Sequence, residues 1–143
     1  MSKTHTWRGS RTAVVVVAVL VGCVIGMGAD HFAFAQQPGI KRTELLRTDA
    51  PGNPAYEAVM AVAEIPAGGS AGRHRHYGIE LGYVLQGTIE LEHEGQPLRI
   101  LRAGQAFKNE PGVHNARNRG KEPVKILAVY VVEKGKPLAD PVP

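Results

Sequence analysis

Short segments in which apolar and polar residues alternate run along most of the chain after residue 40, and they predict β-strands. The clearest is 88–93, where Ile89 and Leu91 fall on one face of an extended chain and polar residues fall on the other. Further strands are predicted at 43–48, 56–65, 80–86, 98–101, 106–108, 113–118 and 124–132, the last apolar enough for burial on both faces. Turns rich in glycine and proline separate these segments, and none of them has the helical period. The pattern predicts an all-β sandwich or small barrel.

The first 35 residues have the pattern of an export signal. Basic residues without an acid occupy positions 2–11, an apolar run follows from 13 to 29, and an Ala-x-Ala sequence ends at Ala35. We therefore expect residues 1–35 to be a signal peptide cut after Ala35, and the mature chain to be periplasmic or secreted. An uncleaved membrane anchor is one alternative, although the run is shorter than the roughly 20 residues that a span needs. A second alternative is a lipoprotein cut that leaves the chain lipid-anchored through Cys23.

The remaining chain divides into a lead-in and first strand at 36–54, a barrel at 55–133 and a C-terminal tail at 134–143. We expect the start of the lead-in, up to Arg42, to be flexible and the proline-rich tail to lie along the surface. The single cysteine lies in the leader, so the mature domain has neither a disulfide nor a thiolate metal ligand. From residue 36 onward, 14 Lys and Arg face 12 Asp and Glu, a net charge of +2. The basic residues are scattered, which argues against a nucleic acid as partner.

Two histidines and a glutamate at even spacing predict a metal site. His74, His76 and Glu80 are separated by two and four residues, so an extended chain directs all three side chains to one face. His114 follows a Pro-Gly turn and is placed to join them from a neighbouring strand. Three imidazoles and a carboxylate suit manganese, iron, nickel, copper or zinc. Such a set leaves coordination positions open, as catalytic metal sites do. His93, between two glutamates beside a turn, is interpreted as a surface histidine.

The same residues resemble the two motifs of the cupin superfamily. The first motif is matched by Gly68-x5-His74-x-His76-x3-Glu80-x6-Gly87, and the second by Gly104, Pro111, Gly112, His114 and Asn118. The chain departs from the family pattern in that its second motif is one residue short and that Tyr77 stands where many small cupins carry proline. The resemblance implies a double-stranded β-helix (a cupin jelly-roll barrel) in a single domain. It also implies a metal ion bound by His74, His76, Glu80 and His114.

The small quercetin-dioxygenase-like cupins are the most similar in organisation, which implies an exported metal-dependent enzyme that acts on a small organic molecule. Glu80 would be a ligand or, when detached, a proton acceptor. Strand parity puts Tyr77, Phe107 and Tyr130 forward as residues that line the pocket. The alternative is a non-catalytic module that binds a small ligand, since no residue besides Glu80 resembles a dedicated catalytic acid or base.

Apolar residues on the opposite face of the 80–86 strand bear on assembly. If Glu80 points into the barrel, Tyr83 and Leu85 point out of it and need cover. We expect a homodimer packed sheet to sheet, with cover by the first strand or by the C-terminal tail as the alternatives. Arg73 and Arg75 alternate with the histidines, so they are expected to point away from the metal.

Overall fold

Residues 39–143 are described by the computed structural model, and every regular element in that range is a β-strand. The strands are β1 (Lys41–Asp49), β2 (Tyr56–Ile65), β3 (His74–Arg75), β4 (Gly78–Gln86), β5 (Thr88–His93), β6 (Arg99–Arg102), β7 (Ala106–Asn109), β8 (His114–Arg117), β9 (Val124–Glu133) and β10 (Asp140–Pro141). The predicted all-β class is confirmed. The signal peptide, the membrane anchor and the lipid-anchored cysteine all fall outside the described residues. Within 39–143, no helix has the length and apolar character needed to cross a bilayer.

The strands form two antiparallel five-stranded sheets, as a jelly-roll barrel requires. The first sheet has the order β1-β2-β9-β4-β7 and the second the order β10-β3-β8-β5-β6. Alternate residues of β2, β4, β5 and β9 enter one apolar core. Ile89 and Leu91 of β5 are fully buried there, as the alternation predicted, together with Val59 of β2 and Val132 of β9.

The N-terminal lead-in is shorter than the sequence suggested, because β1 already begins at Lys41. β2 offers an open edge of backbone donors and acceptors, and β1 pairs with it from Lys41 to Asp49. Arg42 lies opposite Ala63 in this pairing, and its side chain is buried although a flexible position was expected. Taken alone, the charged sequence Lys41-Arg42 is typical of an exposed lead-in. Only the strand pairing shows that Arg42 faces the core.

The C-terminal segment 134–143 is built into the barrel and does not simply run along the surface. Leu138 and Ala139 are buried, and β10 pairs with β3 at the edge of the second sheet. The backbone N–H of Val142 also donates to the carbonyl of Arg73 at 3.1 Å. Pro141 is tolerated because an edge strand has a side on which no backbone donor is needed.

The outer face of the first sheet is apolar and has no covering layer among the described residues. β9 alternates buried and half-buried positions, so its predicted burial on both faces is wrong for the outer face. Tyr83 and Leu85 are 45% and 47% exposed, and Leu46 of β1 is exposed as well. Neither the first strand nor the tail therefore buries these side chains. The homodimer expected from this face stays a prediction.

The side-chain amide of Asn118, at the end of the second motif, forms hydrogen bonds through both its nitrogen and its oxygen. Its Nδ2 donates to the carbonyls of Ile65, Pro66 and Glu122 at 3.1, 3.1 and 2.8 Å. Its Oδ1 accepts from the backbone N–H of Gly120 at 2.9 Å. This buried side chain ties the end of β2 to the turn between β8 and β9, and thereby fixes β8, which carries His114.

Candidate metal centre

Three buried histidines meet inside the barrel. His74 of β3 and His114 of β8 are paired across the second sheet, and His76 lies where the chain leaves that sheet for β4. The nitrogen atoms with which the three rings could hold an ion lie within 4.8 Å of one another. All three residues are at most 4% exposed. The even spacing of the histidines and the antiparallel pairing of β3 with β8 together produce this cluster.

Backbone carbonyls fix which nitrogen of each ring carries its proton. The Nδ1 atoms of His74, His76 and His114 are hydrogen-bonded to the carbonyls of Gly72, Leu138 and Gly112 respectively. Because a carbonyl only accepts, each Nδ1 is the donor, and the Nε2 atom on the other side of each ring is the one that can bind an ion. The Nε2 atoms of His76 and His114 are buried and have no hydrogen-bond partner. Metal-binding histidines in proteins are held in this manner.

Glu80 faces two of these lone pairs from the first sheet. Its Oε2 lies 3.3 Å from Nε2 of His76 and 3.5 Å from Nε2 of His114. The same oxygen accepts a hydrogen bond of 2.7 Å from Nδ2 of Asn109, which is paired with Glu80 across β4 and β7. Burial raises the pKa of Glu80, but the His114 and His76 rings lower it more, so its pKa lies well below the usual value. The side chain is therefore an anion.

An ionised carboxylate beside ring lone pairs is repulsive unless a positive charge lies between them. Protons on the rings or a metal ion would supply that charge. Burial and the neighbouring His114 and His76 rings lower the pKa of His74 to about 3, so this ring is neutral at pH 7 and ready to bind a metal ion. Three imidazole nitrogens with one carboxylate oxygen fit a divalent transition-metal ion.

The chain resembles known cupins over the part that carries this site. Residues 61–130 match the family model described as Cupin domain. These residues form a cupin domain. The resemblance stated from the two motifs is thus confirmed at the level of the superfamily, whereas the quercetin-dioxygenase-like group stays a prediction. No curated protein matches the chain.

Solved structures of other cupin barrels are similar to this one. A structure described as oxalate oxidase is 27% identical with a TM-score of 0.58, and the match covers 74% of this chain and 57% of that one. KdgF from Halomonas sp. is 26% identical with a TM-score of 0.51, over 66% and 80% of the two chains. A cupin superfamily protein from Desulfitobacterium hafniense is 17% identical with a TM-score of 0.54, over 69% and 83%, and supports the fold alone.

Two of the three residues predicted to line the pocket of the cupin barrel lie beside the histidines or in the core. The ring of Tyr130 lies 4.9 Å from that of His76, and burial together with the charge of Glu80 raises the pKa of its phenol. Phe107 is buried over Gly82, where a Cβ atom would lie 2.1 Å from the ring. The ring of Phe107 can pack here because Gly82 has no side chain.

Tyr77 is placed differently from the other two. Its hydroxyl donates to Oδ2 of Asp140 at 2.9 Å, and the cationic groups of Arg75 and Lys136 lie 5.5 and 5.3 Å from the centre of its ring. The side chain therefore fastens the C-terminal strand of the cupin barrel and does not face the histidines through its hydroxyl. Arg75 is exposed, as the alternation with the histidines predicted, and also pairs with Asp140.

Sequence reasoning missed three features of the cupin site: Arg42, Asn109 and the carbonyl of Leu138. Arg42 stood in a segment interpreted as a lead-in, Asn109 in a turn, and Leu138 in a tail. His93, interpreted as a surface residue, lies with its ring stacked on His114, with 5.8 Å between the ring centres. Asn109 is two residues after the apolar Phe107, so strand parity could have placed its side chain on the same buried face. No local pattern indicated Arg42 or Leu138.

Proposed function

We propose that this cupin binds a divalent transition-metal ion through His74, His76, His114 and Glu80 and acts on a small organic molecule. One observation carries the proposal: the buried Nε2 atoms of His76 and His114, on rings whose Nδ1 atoms are bonded to backbone carbonyls, lie 3.3 and 3.5 Å from the ionised carboxylate of Glu80. Manganese, iron, nickel, copper and zinc all suit this set of ligands. Four protein ligands leave positions open on a five- or six-coordinate ion, as a site for a small molecule requires.

The reaction that we propose is dioxygenase-like, in an exported protein. A bound ion would act as a Lewis acid and, if redox-active, would also exchange electrons. The protein's residues would do the remaining work: Glu80 holds a negative charge and accepts a proton when it is not bound to the ion, while Tyr130 keeps its proton and donates a hydrogen bond. Phe107 excludes water from the interior. The similarity to a structure described as oxalate oxidase supports oxidation of a small molecule.

A second candidate is a cupin that binds a small ligand and does not convert it. The described core contains one carboxylate, Glu80, and it is already engaged by two histidines and Asn109. The phenol of Tyr130 has a raised pKa and does not give up its proton at neutral pH. No unengaged general acid or base is thus available among the buried residues, which favours binding over turnover.

Metal analysis followed by an activity screen separates the two candidates. We expect natively purified mature protein to contain one transition-metal ion per chain by elemental analysis. The protein would then be loaded with manganese, iron, copper or zinc and offered small carboxylic acids, diketones and flavonols, with product formation and oxygen uptake recorded. Turnover supports the enzyme, and a thermal shift without turnover supports the binder. Failure of every ion to bind stoichiometrically would overturn the proposed function.

Removal of the last seven residues tests the contribution of the C-terminal segment to the metal centre. A chain that ends at Lys136 lacks the Leu138 carbonyl, which orients the His76 ring. Loss of such an orienting partner typically lowers metal affinity by about 10- to 100-fold, and we expect a decrease of that size. Competition with a chromophoric chelator measures it. A chain that ends at Pro141 keeps Leu138 and should bind metal as the full chain does; equal affinity of all three would contradict the role of this carbonyl.

A further inference from the structure

Asn109 lies where the chain passes from the first sheet to the second, next to the candidate metal ligands. It is the last residue of β7, the edge strand of the first sheet, and the turn that follows leads directly to His114 of the second sheet. Its side chain is buried and points inward like that of Phe107, whereas Lys108 between them is exposed. Asn109 therefore connects the strand that faces Glu80 with the strand that carries His114.

The side-chain amide of Asn109 holds the oxygen of Glu80 that faces the histidines. Tyr130, Glu80 and Asn109 lie in one row of the first sheet, on β9, β4 and β7. Nδ2 of Asn109 donates over 2.7 Å to Oε2 of Glu80, the same oxygen that lies 3.3 Å from Nε2 of His76. The hydroxyl of Tyr130 is also hydrogen-bonded to Glu80, from the strand on the opposite side. The carboxylate is thus held from both neighbouring strands, with Asn109 at the oxygen that is turned towards the rings.

The orientation of this amide follows from the charge of Glu80. An ionised carboxylate only accepts hydrogen bonds, so Nδ2 of Asn109 must face it and Oδ1 must point elsewhere. Oδ1 is buried and has no hydrogen-bond partner within the part of the chain that the structure describes. A buried carbonyl oxygen without a donor is destabilising, and a leucine of similar size would avoid that loss. Packing alone therefore does not favour an amide at this position, and the hydrogen bond to Glu80 is the contact that an apolar residue could not make.

We propose that Asn109 is a positioning residue of the metal centre, which holds Oε2 of Glu80 towards the clustered histidine nitrogens and so completes the set of ligands. The inference rests on the proposed function, because it concerns how this chain prepares Glu80 for an ion. Without this donor, the side chain of Glu80 has more rotamers available, and metal binding would have to order it. Loss of a hydrogen bond to a ligating carboxylate typically lowers metal affinity by about 10- to 100-fold.

Replacement of Asn109 by leucine tests the inference through metal affinity. We expect Asn109→Leu to bind zinc with an affinity lower by about 10- to 100-fold, measured by competition with a chromophoric chelator. Lys108→Met is the matched control, because Lys108 precedes Asn109 on β7 and its side chain is exposed, so its zinc affinity should equal that of the unchanged chain. If the leucine variant does not fold, Asn109→Ala removes the same donor without adding bulk.

The two ways in which this experiment can fail are distinct. Equal zinc affinity in a folded Asn109 variant and in the unchanged chain would overturn the inference while leaving the metal site intact. Absence of zinc binding by the unchanged chain would instead overturn the proposed function on which the inference rests.

A double-mutant cycle with Glu80→Met shows whether Asn109 acts through Glu80. Methionine is similar to glutamate in length but has no carboxylate for the amide to hold. We expect Asn109→Leu to lower the zinc affinity of the unchanged chain and to have little further effect in the Glu80→Met background. An equal decrease in both backgrounds would show that Asn109 only supports the fold, and it would overturn the inference.

Cobalt(II) provides a readout that does not depend on affinity, because its visible absorption reports the number and kind of its ligands. We expect the cobalt-loaded Asn109→Leu protein to have a spectrum different from that of the unchanged chain, since the carboxylate is no longer held towards the rings. Lys108→Met should have the spectrum of the unchanged chain. This comparison decides the question if Glu80→Met binds zinc too weakly for the cycle. A spectrum of Asn109→Leu identical with that of the unchanged chain would overturn the inference.

Discussion

Replacement of His76 by alanine is expected to abolish stoichiometric metal binding. Its Nε2 is one of the buried lone pairs that face Glu80, and its ring is oriented by the carbonyl of Leu138. Loss of an orienting partner lowers metal affinity by about 10- to 100-fold, and loss of a ligand should lower it further. Elemental analysis after dialysis against metal-free buffer measures the effect, and circular dichroism reports whether the barrel is retained.

His93→Ala is the matched control for this variant. His93 stacks on His114 but is not one of the three clustered histidines, so its alanine variant should retain the metal. A His76→Ala protein with full metal content would show that the site is assigned to the wrong residues. Loss of metal from both variants alike would point to disturbance of the His114 ring and not to loss of a ligand.

Replacement of Gly78 by alanine is expected to destabilise the barrel by about 3 kcal/mol or more. A Cβ atom at this position would lie 2.0 Å from the carbonyl oxygen of Val131 and 2.9 Å from Cα of Val132. Both atoms belong to the backbone of β9, which is paired on both sides and cannot move away without breaking a sheet. Gly78 also starts β4, which carries Glu80. Urea unfolding followed by circular dichroism measures the change.

Gly95→Ala separates the steric effect from the conformational one. Gly95 has a φ of +74°, but nothing lies within 4 Å of a Cβ atom added there. The alanine variant should therefore lose only the about 1–2 kcal/mol that a left-handed conformation costs. If Gly78→Ala unfolds at the same urea concentration as Gly95→Ala, the close approach of β4 to β9 is not the reason for this glycine.

Much of the fold could be predicted because it depends on local periodicity. The strand predicted at 56–65 has the bounds of β2, and Ile89 and Leu91 enter the core as their alternation required. The same rule of parity puts Tyr83 on the outer face, opposite Glu80. Boundaries that depend on pairing were less accurate: β8 starts one residue later than predicted, where the pairing of His114 with His74 begins.

The sequence by itself determined the all-β class, the two motifs of a cupin domain and the three histidines that meet, because these follow from spacing within short segments. The tertiary structure alone decided that Arg42 enters the barrel, that Asn109 contacts Glu80 and that Leu138 orients His76. Each of these contacts joins residues at least 29 positions apart or depends on which strand edge a segment meets. Local periodicity does not specify which strands pair, since a strand of a given pattern can pair with any open sheet edge.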